Sequence, residues 1–417
     1  MAKRGEQILE EVRPSSGRSS WLDDNCRIAG VLKQSNNYLL VDELGSNFIP
    51  IPFKELSREG TFSLPTSSSF NFLGKDLTTK IKSNWNRRPM ADENLSIERR
   101  MARALGVYDW VLKEKPDAIV VWTDVYPEMR AAVMAGNDLN IPTFEIVHGG
   151  FHPLMHGHFE TKRYAKYSLG SWEFRRWHQF YGCGSEVVPT GSTQMDVWAR
   201  ANLDVLRAKA RHAMEIPPFG VVVCYLEDAA FERNPLSDQG VVDNQLLEFL
   251  NTFKLLETLV ADPYLVLKMH PYDKQNTPHS RKDQLKEMGI KNYTIIDDNL
   301  PMALAASDIT VGNRSTAMVE GFMLGIPAVI TASEPYFEAE WYEGMGFEIV
   351  RSNDNLLSKL VGVLADSEKM IDLINATDRG ARYFGSDGLA SLRAIRVIDK
   401  VLKGESVGEA DYGTLPD

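Results

Sequence analysis

The chain has 417 residues, 43% of them apolar and 25% charged, which fits a soluble globular protein of two or three domains and excludes bulk disorder, collagen-like repeats and a small disulfide scaffold. The net charge is −11, made up of +2 over residues 1–100 and −13 over the rest, which excludes a protein that coats nucleic acid or anionic lipid along its length. Cys26, Cys183 and Cys224 lie far apart without a CxxC spacing and read as reduced thiols of a cytosolic protein. No apolar run approaches the roughly 20 residues that span a bilayer, and Lys3-Arg4 has no apolar stretch behind it to form a secretory signal. The expectation is a cytoplasmic protein without a transmembrane segment.

Residues 1–95 form an irregular segment. Tyr38–Val41 and Phe48–Ile51 read as short strands around a turn at Glu43–Ser46, followed by a Ser/Thr/Gly/Pro-rich loop from Ser57 to Asn71. A basic stretch, Lys75, Lys80, Lys82, Arg87 and Arg88 with Trp85 inside it, reads as a solvated face or as a contact for a phosphorylated acceptor.

From residue 95 the pattern changes. A helical period covers Leu95–Lys113, and Ala118–Trp122 is a continuous apolar run, as in a parallel strand covered on both faces. A helix at 127–138, a strand at Phe144–Val147, a strand near Glu186–Val188 and a long helix near 193–213 follow. After Pro217-Pro218 a second series begins. It has strands at Val221–Tyr225, Leu265–Lys268, Tyr293–Ile296, Ile309–Val311 and Ala328–Ile330. Helices at 242–261, 280–288, 301–306, 315–324 and 354–366 alternate with them. Such alternation predicts doubly wound parallel sheets. The expected organisation is an N-terminal Rossmann-like domain over 96–214 and a second over 215–380, facing a cleft. A helix within 381–403 and a polar, acidic, disordered tail over 404–417 follow.

In open α/β sheets ligands bind beyond the carboxyl ends of the strands, so those ends select the candidates. Gly312-Asn313-Arg314-Ser315-Thr316 carries a strand through a turn into a helix, where free N–H groups and the positive end of the helix dipole favour a phosphate. Ser315 and Thr316 add hydroxyl donors, and Glu320, one turn on, suits two ribose hydroxyls; the plain alternative is an N-cap at Ser315. Lys268 and His270, at i and i+2 beside Pro271, can address one phosphate. At His148-Gly149-Gly150 the glycines let a ligand approach the backbone. His152, His156 and His158 follow, but no zinc-type spacing accompanies them, and no metal is expected. Asp124 reads as a general base or as a helix N-cap, and Glu227 and Asp228 lie at another strand end. Gly191-Ser192-Thr193 with Asp196 is a capped helix start or a ligand contact. There is no GxGxxG, Walker A, GxSxG or kinase set, which removes dinucleotide dehydrogenases, P-loop enzymes and α/β-hydrolases from the leading group.

Three elements in order carry a resemblance: Ile141-Pro142-Thr143 leading to His148-Gly149-Gly150, then Lys268-Met269-His270-Pro271, then Ser307-Asp308 through Ser315-Thr316 and Glu320 to Gly325-Ile326-Pro327. Together they resemble GT-B-type nucleotide-sugar glycosyltransferases. The nearest flavour is the CDP-glycerol glycerophosphotransferases, capsule polysaccharide transferases and HP-motif sialyltransferases. The resemblance covers about residues 100–335. It implies that His270, Ser315 and Thr316 hold the donor's phosphates, that His148 works near the acceptor, and that the terminal helix crosses back to the first domain. Residues 1–95 depart from the family, whose members open with a clear strand and a Gly-rich loop.

The expected activity is transfer of a sugar or polyol phosphate from a nucleotide-activated donor to a hydroxyl acceptor. The acceptor domain would contribute Asp124 or His148 as base, Gly149 and Gly150, with Glu227 and Asp228 near the cleft. Lys268, His270, Asn313, Ser315, Thr316 and Glu320 would hold the donor, with no cofactor beyond it. A glycan or surface polymer fits the negative charge as acceptor better than nucleic acid. The alternatives are a viral-type DNA-base glycosyltransferase, a UDP-sugar 2-epimerase and a non-catalytic nucleotide-sugar-binding protein.

Overall fold

The computed structural model of the protein describes residues 22–23, 25–32, 34–53, 55–56, 71–72, 75–76, 97–124, 127–147, 164–181, 184–217, 220–227, 239–270, 278–297, 299–313, 315–331, 343–351 and 353–413. They fall into two compact units, one built on Gly17–Gln194 with Leu389–Leu415 and the other on Met195–Gly388.

The first unit holds strands β1 (Ile28–Val31), β2 (Phe48–Pro50), β5 (Ala118–Val121), β6 (Thr143–Ile146), β7 (Tyr167–Leu169) and β8 (Glu186–Val188), with a separate antiparallel pair of β3 (Asn71–Phe72) and β4 (Lys75–Asp76). The six strands form one parallel sheet in the order β2-β1-β5-β6-β7-β8. Helices α1 (Gln34–Leu44), α2 (Ile97–Glu114), α3 (Pro127–Asp138) and α4 (Trp172–Tyr181) flank it. The period of two along a strand divides β5 between two cores. Ile119 and Val121 join Val107, Val111 and Met129 of α2 and α3, whereas Ala118 and Val120 join Leu40 and Leu44 of α1. Both faces are covered, which is why the run is apolar without a gap.

Two expectations are corrected here. Tyr38–Val41 is not a strand; it lies inside α1, where Leu40 and Leu44 at i and i+4 turn to the sheet. The stretch expected to be irregular supplies β1 and α1 besides β2, where the strand expected over Phe48–Ile51 is met. The strand Ile-Ala-Gly-Val is only four residues long, and an 18-residue window sees mostly polar neighbours around it.

The second unit opens with the short α5 (Asp196–Ala199) and α6 (Leu203–Ala213), where one long helix was expected. The break has a local cause: the Asn202 side chain accepts from Val205 N at 3.2 Å and starts a new helix. Next come β9 (Val222–Leu226), α7 (Gln239–Leu259), β10 (Tyr264–Lys268), α8 (Pro278–Glu287), β11 (Tyr293–Ile296), α9 (Leu300–Ala306), β12 (Ile309–Gly312), α10 (Thr316–Met323), β13 (Ala328–Thr331), β14 (Glu348–Val350), α11 (Asn353–Leu364) and α12 (Ser367–Ala381). This sheet is parallel in the order β11-β10-β9-β12-β13-β14. Again β9 alternates: Val222, Cys224 and Leu226 pack towards α6, α9 and α10, and Val223 and Tyr225 towards α7 and α11. The division between units falls before α6, not after it. Arg211 donates to Ala306 O at 2.9 Å and pairs with Asp308 at 2.8 Å, and Arg207 donates to Ser307 O at 2.9 Å, which bolts α6 to this sheet.

The chain then returns to the first unit through α13 (Ala390–Leu402), whose Ala394, Ile395, Val397 and Ile398 enter the core beside Ile28, Val120 and Phe144. Each buried Ile or Val contributes about 1.5–3 kcal/mol. The tail expected to be disordered is docked as far as α14 (Glu409–Tyr412). Asp411, 3% exposed, meets Lys400 at 2.9 Å, Arg396 at 3.1 Å and the N–H of Gly408 at 3.0 Å. Tyr412 packs edge-on to Trp172 at 5.9 Å, with the Arg175 guanidinium over its ring.

Candidate active site

In the second sheet the chain moves from β9 outward to β10 and β11, then returns to place β12 on the other side of β9. The reversal between β9 and β12 is a topological switch point, and the crevice beyond its carboxyl ends is where such sheets bind ligands. Register fixes what meets there. Gly312 of β12 and Lys268 of β10 both pair with Leu226 of β9. Glu227, Asn313 and the Met269-His270 pair therefore share one rim.

Gly312 lets the rim close up. A Cβ there would lie 3.0 Å from Leu226 O and 3.0 Å from Met318 Sδ, so the strand end runs against its neighbour without room for a side chain. Asn313, 8% exposed, follows, and Ser315 takes extended backbone angles as the N-cap of α10. Its Oγ accepts from Ala317 N at 3.3 Å, and its carbonyl accepts from Met318 N at 2.9 Å. The N-cap reading of Ser315 is met, and the helix end still presents first-turn N–H groups and the positive end of its dipole. Thr316 and Glu320, both partly exposed, stand one turn apart on the same helical face.

Lys268 is buried. Its Nζ donates to Met269 O and, at 3.1 Å, to Asp297 O, so the ammonium braces the carboxyl ends of β10 and β11 and puts a cation there. Burial pushes the neighbouring Cys224 thiol up to about 12, against the smaller pull of a bond with Ser307 and of the Lys268 charge. His270, two residues past the end of β10, is partly exposed. The Glu227 backbone donates to Lys268 O at 2.9 Å, and its buried side chain meets Nη2 of Arg281 from α8. The same nitrogen reaches Asp243 of α7 at 3.0 Å, while Nη1 reaches Gln284 at 3.0 Å. Nothing in sequence spacing links Arg281 to Glu227, 54 residues away.

In the first unit Asp124 is wholly buried beyond the end of β5. Its Oδ2 accepts the N–H of Tyr164 and that of Ala165, the latter at 3.0 Å, and its carbonyl accepts from Arg130 Nε at 2.8 Å. The Arg130 guanidinium lies 4.6 Å over the Tyr164 ring. Asp124 thus anchors the chain entering β7, with a carboxylate turned to backbone. Glu145 of β6 extends the network, accepting from Asp124 N at 3.4 Å and from Ser168 Oγ at 3.1 Å. His148, Gly149, Gly150 and Asp228 lie outside the described residues, as do His152, His156 and His158. Among the described residues no three His, Cys, Asp or Glu side chains gather as metal ligands, and no helix is long and apolar enough to cross a membrane.

No protein-family profile matches the chain, and no curated protein matches it in sequence. Solved structures do match its fold. A UDP-GlcNAc 2-epimerase from Neisseria meningitidis bound to UDP-GlcNAc superposes with a TM-score of 0.55 at 13% identity, covering 91% of this chain and 99% of that one. MnaA of S. aureus with UDP gives 0.58 at 16% identity over 92% and 100%. A glycosyltransferase from Rickettsia africae gives 0.52 at 13% identity over 92% and 100%. What they share with this chain is the fold of two Rossmann-like domains. The GT-B expectation of fold class is met on that ground, and no match singles out the CDP-glycerol group.

Proposed function

We propose that the protein is a nucleotide-sugar enzyme that binds its donor on the carboxyl rim of the second sheet and transfers the glycosyl or polyol-phosphate group to a hydroxyl acceptor. The observation that carries the reading is the switch point itself. The close approach at Gly312, a buried Asn313 and the hydroxyl-bearing start of α10 stand across β9 from His270, which follows β10. In this reading the donor's diphosphate sits against the α10 N-terminus, held by Ser315, Thr316 and Asn313, and its ribose hydroxyls reach Glu320. His270 donates to the leaving phosphate, with the Lys268 cation at the end of β10 adding to the field. Fixed donors aimed at developing charge lower the barrier without a metal. We assign the acceptor's proton to His148 in preference to Asp124, whose Oδ2 is already taken by two backbone N–H groups; a retaining reaction needs no such base. A glycan acceptor suits the charge of −11.

Epimerisation of a UDP-sugar is the second reading, supported by the fold shared with the Neisseria meningitidis and S. aureus proteins. One pair of experiments tests both. A thermal-shift screen against UDP, CDP, CMP, GDP, dTDP and their sugar conjugates should single out one nucleotide, because a ligand at 100 times its Kd adds about 2.7 kcal/mol. The product from the matching sugar nucleotide then decides: free nucleotide with a new glycoside for transfer, an isomeric sugar nucleotide for epimerisation. Absence of any shift would sink the nucleotide site.

A further inference from the structure

We infer that Arg281 is a positioning residue that holds the end of β10, and with it His270, in place through a buried clamp with Glu227. The inference rests on the proposed nucleotide site. The geometry links β9, β10 and α8. Glu227 N–H is bonded to Lys268 O at 2.9 Å, which fixes the end of β9 to the end of β10. His270 follows Lys268 by two residues, and α8 carries Arg281. There Arg281 turns back and closes on the Glu227 carboxylate. Glu227 at the switch point is thus tied both to the end of β10, two residues before His270, and to α8.

The clamp is buried, with side-chain exposures of 4% for Arg281 and 0% for Glu227. A guanidinium taken out of water at this position needs its partners, and it has Glu227, Asp243 and Gln284 around it, the last two at 3.0 Å each. A buried ion pair is a poor device for stability alone, because an apolar pair of the same volume often does as well. Its directional bonds do what an apolar pair cannot. They fix the Glu227 end of β9 against α8 and, through the Glu227 N–H bond to Lys268 O, bear on the end of β10 that leads into His270. Arg281 does not touch the donor in this scheme. It acts through Glu227 and the backbone, and a shift of that strand end by an ångström is enough to spoil phosphate contacts.

The test is a double-mutant cycle on nucleotide affinity, read by titration calorimetry with the nucleoside diphosphate that the wild-type chain binds and with the corresponding nucleoside. R281M should weaken the diphosphate by about tenfold or more, equivalent to about 1.4 kcal/mol, and leave the nucleoside within about twofold, since the base and ribose are held elsewhere. Combined with H270A, R281M should add little further loss, because both changes remove the same contact. R281K, which keeps the charge but not the fork, should fall between wild type and R281M and serves as the folded variant if R281M does not fold. Full diphosphate affinity in R281M or R281K, with H270A impaired, overturns the clamp and leaves the nucleotide site standing. Losses that simply add in the cycle also overturn it. A wild-type chain that binds no nucleotide overturns the site and the clamp together.

Discussion

Alanine at Gly380 sets helix propensity against packing. Gly380 lies near the end of α12, and Gly362 lies at a comparable place near the end of α11. In both helices Ala is preferred to Gly by about 0.8–1 kcal/mol. A Cβ at Gly362 meets nothing within 4 Å, so Gly362→Ala should be neutral or stabilise the protein by up to that amount. A Cβ at Gly380 would stand 1.6 Å from Met345 O and 2.7 Å from Phe322 Cε1. The first of these atoms is backbone and cannot swing away, and the Phe322 ring is stacked at 4.0 Å on Phe347. The helix itself must move, and overpacking of this kind costs about 1–3 kcal/mol. At the upper end of that range the clash outweighs the propensity gain by about 2 kcal/mol, which in a unit of this size lowers the melting temperature by about 4–8 °C. Because Phe322 belongs to α10, the displacement should also reach the Ser315 end of that helix and weaken nucleotide binding. Thermal melts of the two variants followed by circular dichroism check this. A Gly380→Ala protein that melts above wild type would refute the close crossing of α12 over Met345.

At the start of α10, Ser315→Ala should cost about 1 kcal/mol and Ser315→Gly only a few tenths, measured as denaturation midpoints; equal stability of S315A and wild type would remove the cap. Burial pushes the Asp411 carboxyl up, but the Gly408 N–H and the Lys400 and Arg396 charges outweigh it and hold it below its ordinary range. The docking it supports is therefore complete above the unfolded value of about pH 4 and is lost as the pH falls through the lower native value. Hydrogen exchange over residues 405–413 should show protection at pH 6 that D411N lacks, and protection in D411N equal to wild type would contradict the ion-pair account. Burial raises the Cys224 thiol to about 12 and, with the Asp117 carboxylate next, raises Cys26 to about 11. Peptide mapping after alkylation at pH 8 should find both unlabelled in the native protein and labelled in urea; rapid native labelling of Cys224 would place it elsewhere.

Five strands of the second sheet were legible because β9, β10, β12 and β13 are apolar runs and helices separate the strands as far as β13; β14, three residues headed by Glu348, and α12 were not read from the sequence. Val222–Leu226 and Tyr264–Lys268 are covered on both faces, so burial leaves its mark on every residue. The first sheet was legible in part: β5, β6, β8 and the short β2, expected over Phe48–Ile51, are strands. β1 and β7 have four and three residues, and neither carries enough apolar residues to outweigh its neighbours. Strand Tyr38–Val41 failed for a related reason. Four residues of Tyr-Leu-Leu-Val satisfy a strand as well as one turn of a helix, and what decides is Leu44 one turn later, against the same sheet face as Leu40. The docked tail was hidden because Glu409–Tyr412 is polar and acidic; its partners Lys400, Arg396 and Trp172 are supplied by the fold.

The two candidate rims differ in how far spacing alone could read them. The α10 turn was readable because a glycine, a hydroxyl cap and a helix start are adjacent in the chain, and local chemistry dictates local geometry. Asp124 was ambiguous because an aspartate after a strand can equally take a substrate proton, cap a helix or bind backbone, and its partners at 164 and 165 lie some 40 residues away. Glu227 posed the same problem, with its answer in Arg281. In both cases a carboxylate at a strand end is engaged from another element. A carboxylate so engaged fixes the rim on which a ligand rests, and that work needs the same residue type at the same strand end as catalysis does. Strand-end position therefore finds the rim, and only the partner tells whether the residue faces the ligand or holds the rim together.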